Sequence, residues 1–194
     1  MLHPFRRLFV LLRVTRSQGI LRRYFVVNGF DGALTMLGLN MGFYISGSVE
    51  PSVAVSACLG AAIALGMSGL TSAYLSESAE RSRWLQELEE AMLADMSDSL
   101  HSTATRVVPV LVALVNGGAP LLVSLLITVP WWLASMGIET GLQPLKAAIA
   151  VAFLSLFGLG FFLGIVSGTS WFWTGIKAML IASVTALLIV SIGN

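Results

Sequence analysis

Charge and cysteine are what this 194-residue chain has least of. Charged side chains make up 11% of it, against 56% hydrophobic residues. A soluble domain of this length needs far more charge to cover its surface, so part of its solvent is lipid. The single cysteine, Cys58, excludes a disulfide framework or a thiolate metal cluster within one chain and leaves the redox compartment unreadable. The two histidines, His3 and His101, are too far apart in sequence to make a local metal pair. No phosphate loop, zinc-protease pair or nucleophile with its base is present, so no enzyme is expected. Nor is a resident cofactor.

Basic surplus is also missing overall, the net charge being +1, but it is concentrated at one end. Six of the eleven basic residues (Arg6, Arg7, Arg13, Arg16, Arg22 and Arg23) precede the first long apolar run. Residues 1–23 therefore read as a basic arm at the cytosolic membrane surface, facing anionic headgroups and not nucleic acid. The run "LFVLL" inside it is cut by Arg13 and lacks a small-residue cleavage site, so a removable signal peptide is not expected.

What the chain has is long apolar runs. A membrane helix needs about 20 of them in succession, and five such stretches appear, at 24–46, 52–75, 107–135, 146–168 and 171–192. The expected fold is an all-α membrane protein of five transmembrane helices, with 24–75 holding the first two and 107–194 the last three. Only the connection after the second is long and charged. Placing the arm inside also puts Arg81, Arg83 and Arg106 inside, which gives a cytosolic N-terminus and a C-terminus outside. The protein is expected to be multi-pass, in the cell membrane if the source is prokaryotic.

The charged connection, 76–106, has neither Gly nor Pro between Tyr74 and Val108 and is rich in Glu, Leu, Ala and Met. It predicts an amphipathic cytosolic helix continuing from the second span. At about 100° per residue, Glu77, Glu80, Glu87, Asp95 and Asp98 share roughly a quarter of its circumference. Glu77 with Arg81, and Arg83 with Glu80 or Glu87, offer ion pairs that explain part of the stripe as a solvated face. The remaining acids suit cation capture.

Within the first span, "VVNGFDGALTM" sets Asp31 in an apolar run, where a charge costs at least about 2.5–3.5 kcal/mol near mid-bilayer. Asp31, Thr35, Gly38 and Gly42 share one face, and Asn40 lies opposite. Gly60, Ala64, Met67 and Thr71 make a comparable stripe on the second span; Pro109, Ala113, Asn116 and Pro120 make one on the third. The segment "NGGAP" reads either as a packing kink or as a source of free carbonyls. Asp31 reads either as a functional carboxylate, with oxygen from Thr35 and sulfur from Met67 if the first two spans touch, or as the partner of Arg22, Arg23 or Lys177. Carboxylate with thioether favours a transition metal over Mg²⁺ or Ca²⁺.

"NGFDGALTMLGLNMG" resembles the Asp-Gly-x-x-Thr region that opens proteins of the vacuolar iron transporter family. "SAYLSESAER" is similar to that family's exit from the second span into an acidic cytosolic helix, although Ala73 stands where a glutamate is frequent. "FFLGIVSGTSWFWTGIKAMLIASVTALLIVSIG" is similar to its fourth and fifth spans. The resemblance implies a homodimeric transporter that exports Fe²⁺ or Mn²⁺ from the cytosol in exchange for protons. It further implies a metal path through Asp31, with Met67 near it and with Glu77, Glu80, Glu87 and Glu90 as cytosolic ligands. Thr35 and Asn116 complete the path expected from the residues. The bilayer, divalent metal ions, protons and a second copy are the expected partners. The rival expectation is a non-transporting membrane scaffold or metal buffer with an acidic helix.

Overall fold

The computed structural model describes residues 17–96, 99–138 and 141–193. The arm residues Arg6, Arg7, Arg13 and Arg16, along with Asp98 of the acidic stripe, lie outside them. Five long helices follow one another: α1 (Ser17–Ser46), α2 (Pro51–Met92), α3 (Leu100–Ser135), α4 (Pro144–Ser167) and α5 (Trp171–Gly193). No strand occurs among the described residues. In α2, α3, α4 and α5 the apolar stretches are long enough to cross a membrane, making this a multi-pass membrane protein. Helix α1 has the length, but Asp31, Asn40 and its glycines dilute its hydropathy.

The helix ends follow local chemistry. Pro51 and Pro144 sit in the first turns of α2 and α4, where proline's missing N–H costs nothing. Ser99 caps α3, its Oγ accepting from the Ser102 amide at 3.1 Å. Gly168, at φ +68°, closes α4 in the left-handed conformation that glycine tolerates.

Two boundaries differ from the sequence-based expectation. Helix α1 starts at Ser17, well inside the expected arm. Arginine interrupts hydropathy but is a good helix former, and Ile20, Leu21 and Tyr24 pack onto a buried cluster of Ala73, Ala104, Val108 and Val112. The segment 76–106 is not one amphipathic helix. Helix α2 ends at Met92 and α3 begins at Leu100, so the charged stretch consists of the ends of two long helices beyond their apolar parts. The stop comes from Leu93 in the left-handed region (φ 50°), with Glu89 Oε1 accepting the Met96 amide at 3.1 Å beneath the turn. No glycine or proline marks it.

Packing makes two antiparallel pairs, α2 with α3 and α4 with α5, and α1 lies among α3, α4 and α5 while barely touching α2. The main core joins Met36, Leu37 and Met41 of α1 to Ile127 and Trp131 of α3 and Ala152 and Leu156 of α4. Helices α2 and α3 approach closely because Gly69 has no side chain: a Cβ there would lie 2.8 Å from the Asn116 carbonyl. Pro109, Pro120 and Pro130 are accommodated within a continuous α3.

Candidate functional site on the polar face of the first helix

The two sides of α1 are determined by what each residue meets. Gly32 lies against Pro120, where a Cβ would stand 2.8 Å from the Pro120 Cα, so α3 covers the side of the helix next to Asp31. Asp31 itself is exposed. It has no ion pair or hydrogen bond with any described residue, so Arg22, Arg23 and Lys177 do not clamp it.

Thr35, one turn further on, is likewise exposed and opens onto a shallow groove of about 480 Å³ lined by Gly38, Leu39, Gly42 and Phe43, with Ala61 of α2 on its far wall. The groove is empty along the glycines: a Cβ at Gly42 would meet nothing within 4 Å, and one at Gly38 only the tip of Ile189 at 3.6 Å.

One turn before Asp31, a polar lattice ties three helices together. Asn28 Nδ2 donates to Asn116 Oδ1 and to the Tyr24 carbonyl, the latter at 2.9 Å. Asn116 Nδ2 donates to the Gly69 carbonyl at 2.7 Å. Asn116 is thus buried and engaged through both ends of its amide, holding α1 and α2 onto α3 below the carboxylate. The "NGGAP" segment supplies contacts on both sides, Gly117 to α2 and Pro120 to α1, which is the packing reading of that segment.

Met67 does not join Asp31 within one chain. It is 57% exposed and borders a different, apolar groove with Leu114, Gly118 and Leu121 on the outer side of the α2–α3 pair. Ala61, which faces the Thr35 groove, is about 120° away from Met67 around α2. The expected seam between the first two spans required them to touch, and they meet only marginally.

The expected acidic ligands at the end of α2 separate into those paired with arginine and those left exposed. Glu77 accepts from Arg81 Nε at 2.8 Å, both side chains largely covered, and Glu87 accepts from Arg83 Nε at 2.9 Å in the open. Glu80 and Glu90 are exposed. Among the described residues no three His, Cys, Asp or Glu side chains converge tightly enough to hold an ion.

No family model matches the chain. It is 32% identical over 170 residues to an uncharacterized protein of Methanocaldococcus jannaschii, an alignment that covers 86% of this chain and 85% of the relative. The chain belongs to that protein's family.

Two groups of neighbouring residues were not singled out from sequence. Asn28 stands within the quoted first-span motif, and its spacing of three from Asp31 was the available signal for a polar lattice on that face. Ser78, Ser82, Ser102 and Arg106 line a notch between the charged ends of α2 and α3. Their helical spacing is visible in the sequence, but their apposition depends on the turn at Leu93.

Proposed function

We propose that this protein is a proton-coupled divalent-metal transporter, carrying Fe²⁺ or Mn²⁺ out of the cytosol, and that it works as a homodimer. The observation that carries the reading is the Asp31 carboxylate, which lies exposed on a helix flanked by apolar spans and has no internal partner among the described residues. At roughly 1.5 Å per residue the 30-residue α1 reaches about 45 Å, enough for a fifth span. A carboxylate at that depth must face protein, water or an ion. The empty glycine groove beside it supports a second copy as the cover, because Gly38 and Gly42, four residues apart, let two helices approach closely. Two Asp31 carboxylates on one interface would balance the charge of a dication.

In this mechanism the metal is substrate. Glu80 and Glu90, exposed at the cytosolic end, raise its local concentration. Asp31 receives it beside Thr35, and Met67 takes part only if the partner copy brings its own α2 to the groove. Protonation of Asp31 from outside removes the ligand charge and releases the ion. The N-terminus is cytosolic, in keeping with the basic residues that precede the first span.

The test is flux into proteoliposomes under an imposed pH gradient, with Fe²⁺ and Mn²⁺ supplied separately. Asp31→Asn is expected to reduce both fluxes to the level of empty liposomes. Flux at the wild-type rate in a folded Asp31→Asn protein rules the mechanism out.

A further inference from the structure

A second polar feature lies at the other end of the α2–α3 pair, where the apolar parts of both helices give way to charge. Here Tyr74, Ser78 and Ser82 recur at intervals of four along α2, and Ser102, Thr105 and Arg106 occupy one side of the first two turns of α3. The antiparallel packing sets these two stripes against each other around a half-open notch of about 330 Å³. That is at the lower end of the roughly 300–1,000 Å³ typical of small-molecule sites.

Thr105 returns its hydroxyl to the His101 carbonyl at 3.0 Å, but the other polar groups of the notch are left open. Many helical Ser and Thr return their hydroxyls to the carbonyl four residues back, as Ser56, Thr71, Thr128 and Ser155 do at 2.6–2.9 Å. Ser78, Ser82 and Ser102 make no such bond, and their side-chain hydroxyls have no partner among the described residues. Arg106 also has neither an ion pair nor a hydrogen bond there. The carboxylate adjacent to Ser78, Glu77, is already neutralised by Arg81. Hydroxyl donors gathered around a free guanidinium are complementary to a tetrahedral oxyanion, and arginine is the side chain best suited to phosphate.

Position selects the form in which that phosphate comes. Tyr74 and Pro109 make the side of the notch that continues into the apolar lengths of α2 and α3, and a tyrosine at such a junction marks the headgroup level of a bilayer. We infer that this notch binds a phosphate oxyanion, presented by the headgroup of a membrane phospholipid whose acyl chains lie against the apolar lengths of α2 and α3.

Native mass spectrometry of the detergent-solubilised full chain tests this, using phosphatidylglycerol, diacylglycerol of the same acyl chains, and inorganic phosphate as probes. The wild type is expected to retain phosphatidylglycerol and not diacylglycerol. Arg106→Gln should reduce retention at least about tenfold, the scale of a lost hydrogen bond to a charged group. The double change Ser78→Ala with Ser82→Ala keeps the charge and is expected to reduce it several-fold. Arg83→Gln, which removes an exposed arginine outside the notch, should leave it within about twofold. If inorganic phosphate binds and displaces the lipid in an Arg106-dependent way, the phosphate site stands and its source is soluble. Equal retention of diacylglycerol, or undiminished phosphatidylglycerol on folded Arg106→Gln, overturns the inference; should Arg106→Gln fail to fold, the serine pair decides in its place.

Discussion

Asp31 and Asn40 are nine positions apart on the same helix and have opposite fates. Asn40 is fully buried, and its amide is complete: Oδ1 accepts from Trp131 Nε1 at 2.8 Å and Nδ2 donates to the Met36 carbonyl at 2.7 Å. Asp31 faces out of the chain with neither oxygen engaged by a described residue. Both are costly in an apolar setting, but only one of the costs is offset inside the chain. A polar group satisfied internally holds the fold together. One left open has to be satisfied by something that arrives, and this asymmetry makes the Asp31 face, and not the more deeply buried Asn40 face, the candidate for function.

The comparison breaks most visibly if each residue is neutralised in turn. Asp31→Asn should abolish metal flux while shifting unfolding stability by no more than about 0.5 kcal/mol, as expected for an exposed group without partners. Asn40→Leu should do the reverse. It strands the buried Trp131 N–H, and the expected loss is about 1–3 kcal/mol in a detergent unfolding titration. An Asn40→Leu protein as stable as the wild type, or an Asp31→Asn protein that fails to fold, would put the two residues in the same class.

A smaller effect separates the lattice from both. Asn28 and Asn116 are joined directly, so a double-mutant cycle of Asn28→Ala and Asn116→Ala should reveal coupling. Interhelical hydrogen bonds in membranes average about 0.6 kcal/mol and reach about 1.7, and the expected value lies in that interval. Additive losses would mean that the two asparagines act independently and that the lattice does not tie α1 to α3.

Much of this was legible in the sequence, and what was not has identifiable causes. The opposite placement of Asp31 and Asn40 follows from helical geometry alone, whereas the outward turn of the Asp31–Thr35 face, expected to meet the second span, does not. The start of α1 was hidden because Arg22 and Arg23 end an apolar run without ending a helix. The end of α2 was hidden because Leu93 carries the turn without a residue type that announces it. The pairing of Asp31 with Met67 could not be decided from either helix, since each has its own small-residue stripe and only packing determines which stripes meet. Glycine decided that: Gly69 and Gly117 draw α2 onto α3, and Gly32 draws α1 onto α3, which leaves α1 and α2 nearly apart.

The smallest effect concerns the acidic ends. Glu77 and Glu87 are held by arginines, so their charge is already spent, whereas Glu80 and Glu90 are exposed and outside those pairs. If those two act by attracting cations over a distance, removing them changes the local ion concentration and not the transport step. Glu80→Gln with Glu90→Gln should then raise the metal concentration needed for half-maximal flux by about twofold at low ionic strength and leave the maximal rate unchanged. Because the Debye length contracts from about 30 Å at 0.01 M salt to about 8 Å at 0.15 M, the difference should vanish as salt is added. A loss that persists at 0.15 M salt, or one that falls on the maximal rate, would mean that these glutamates ligate the ion directly and that the working site extends from α1 to the end of α2.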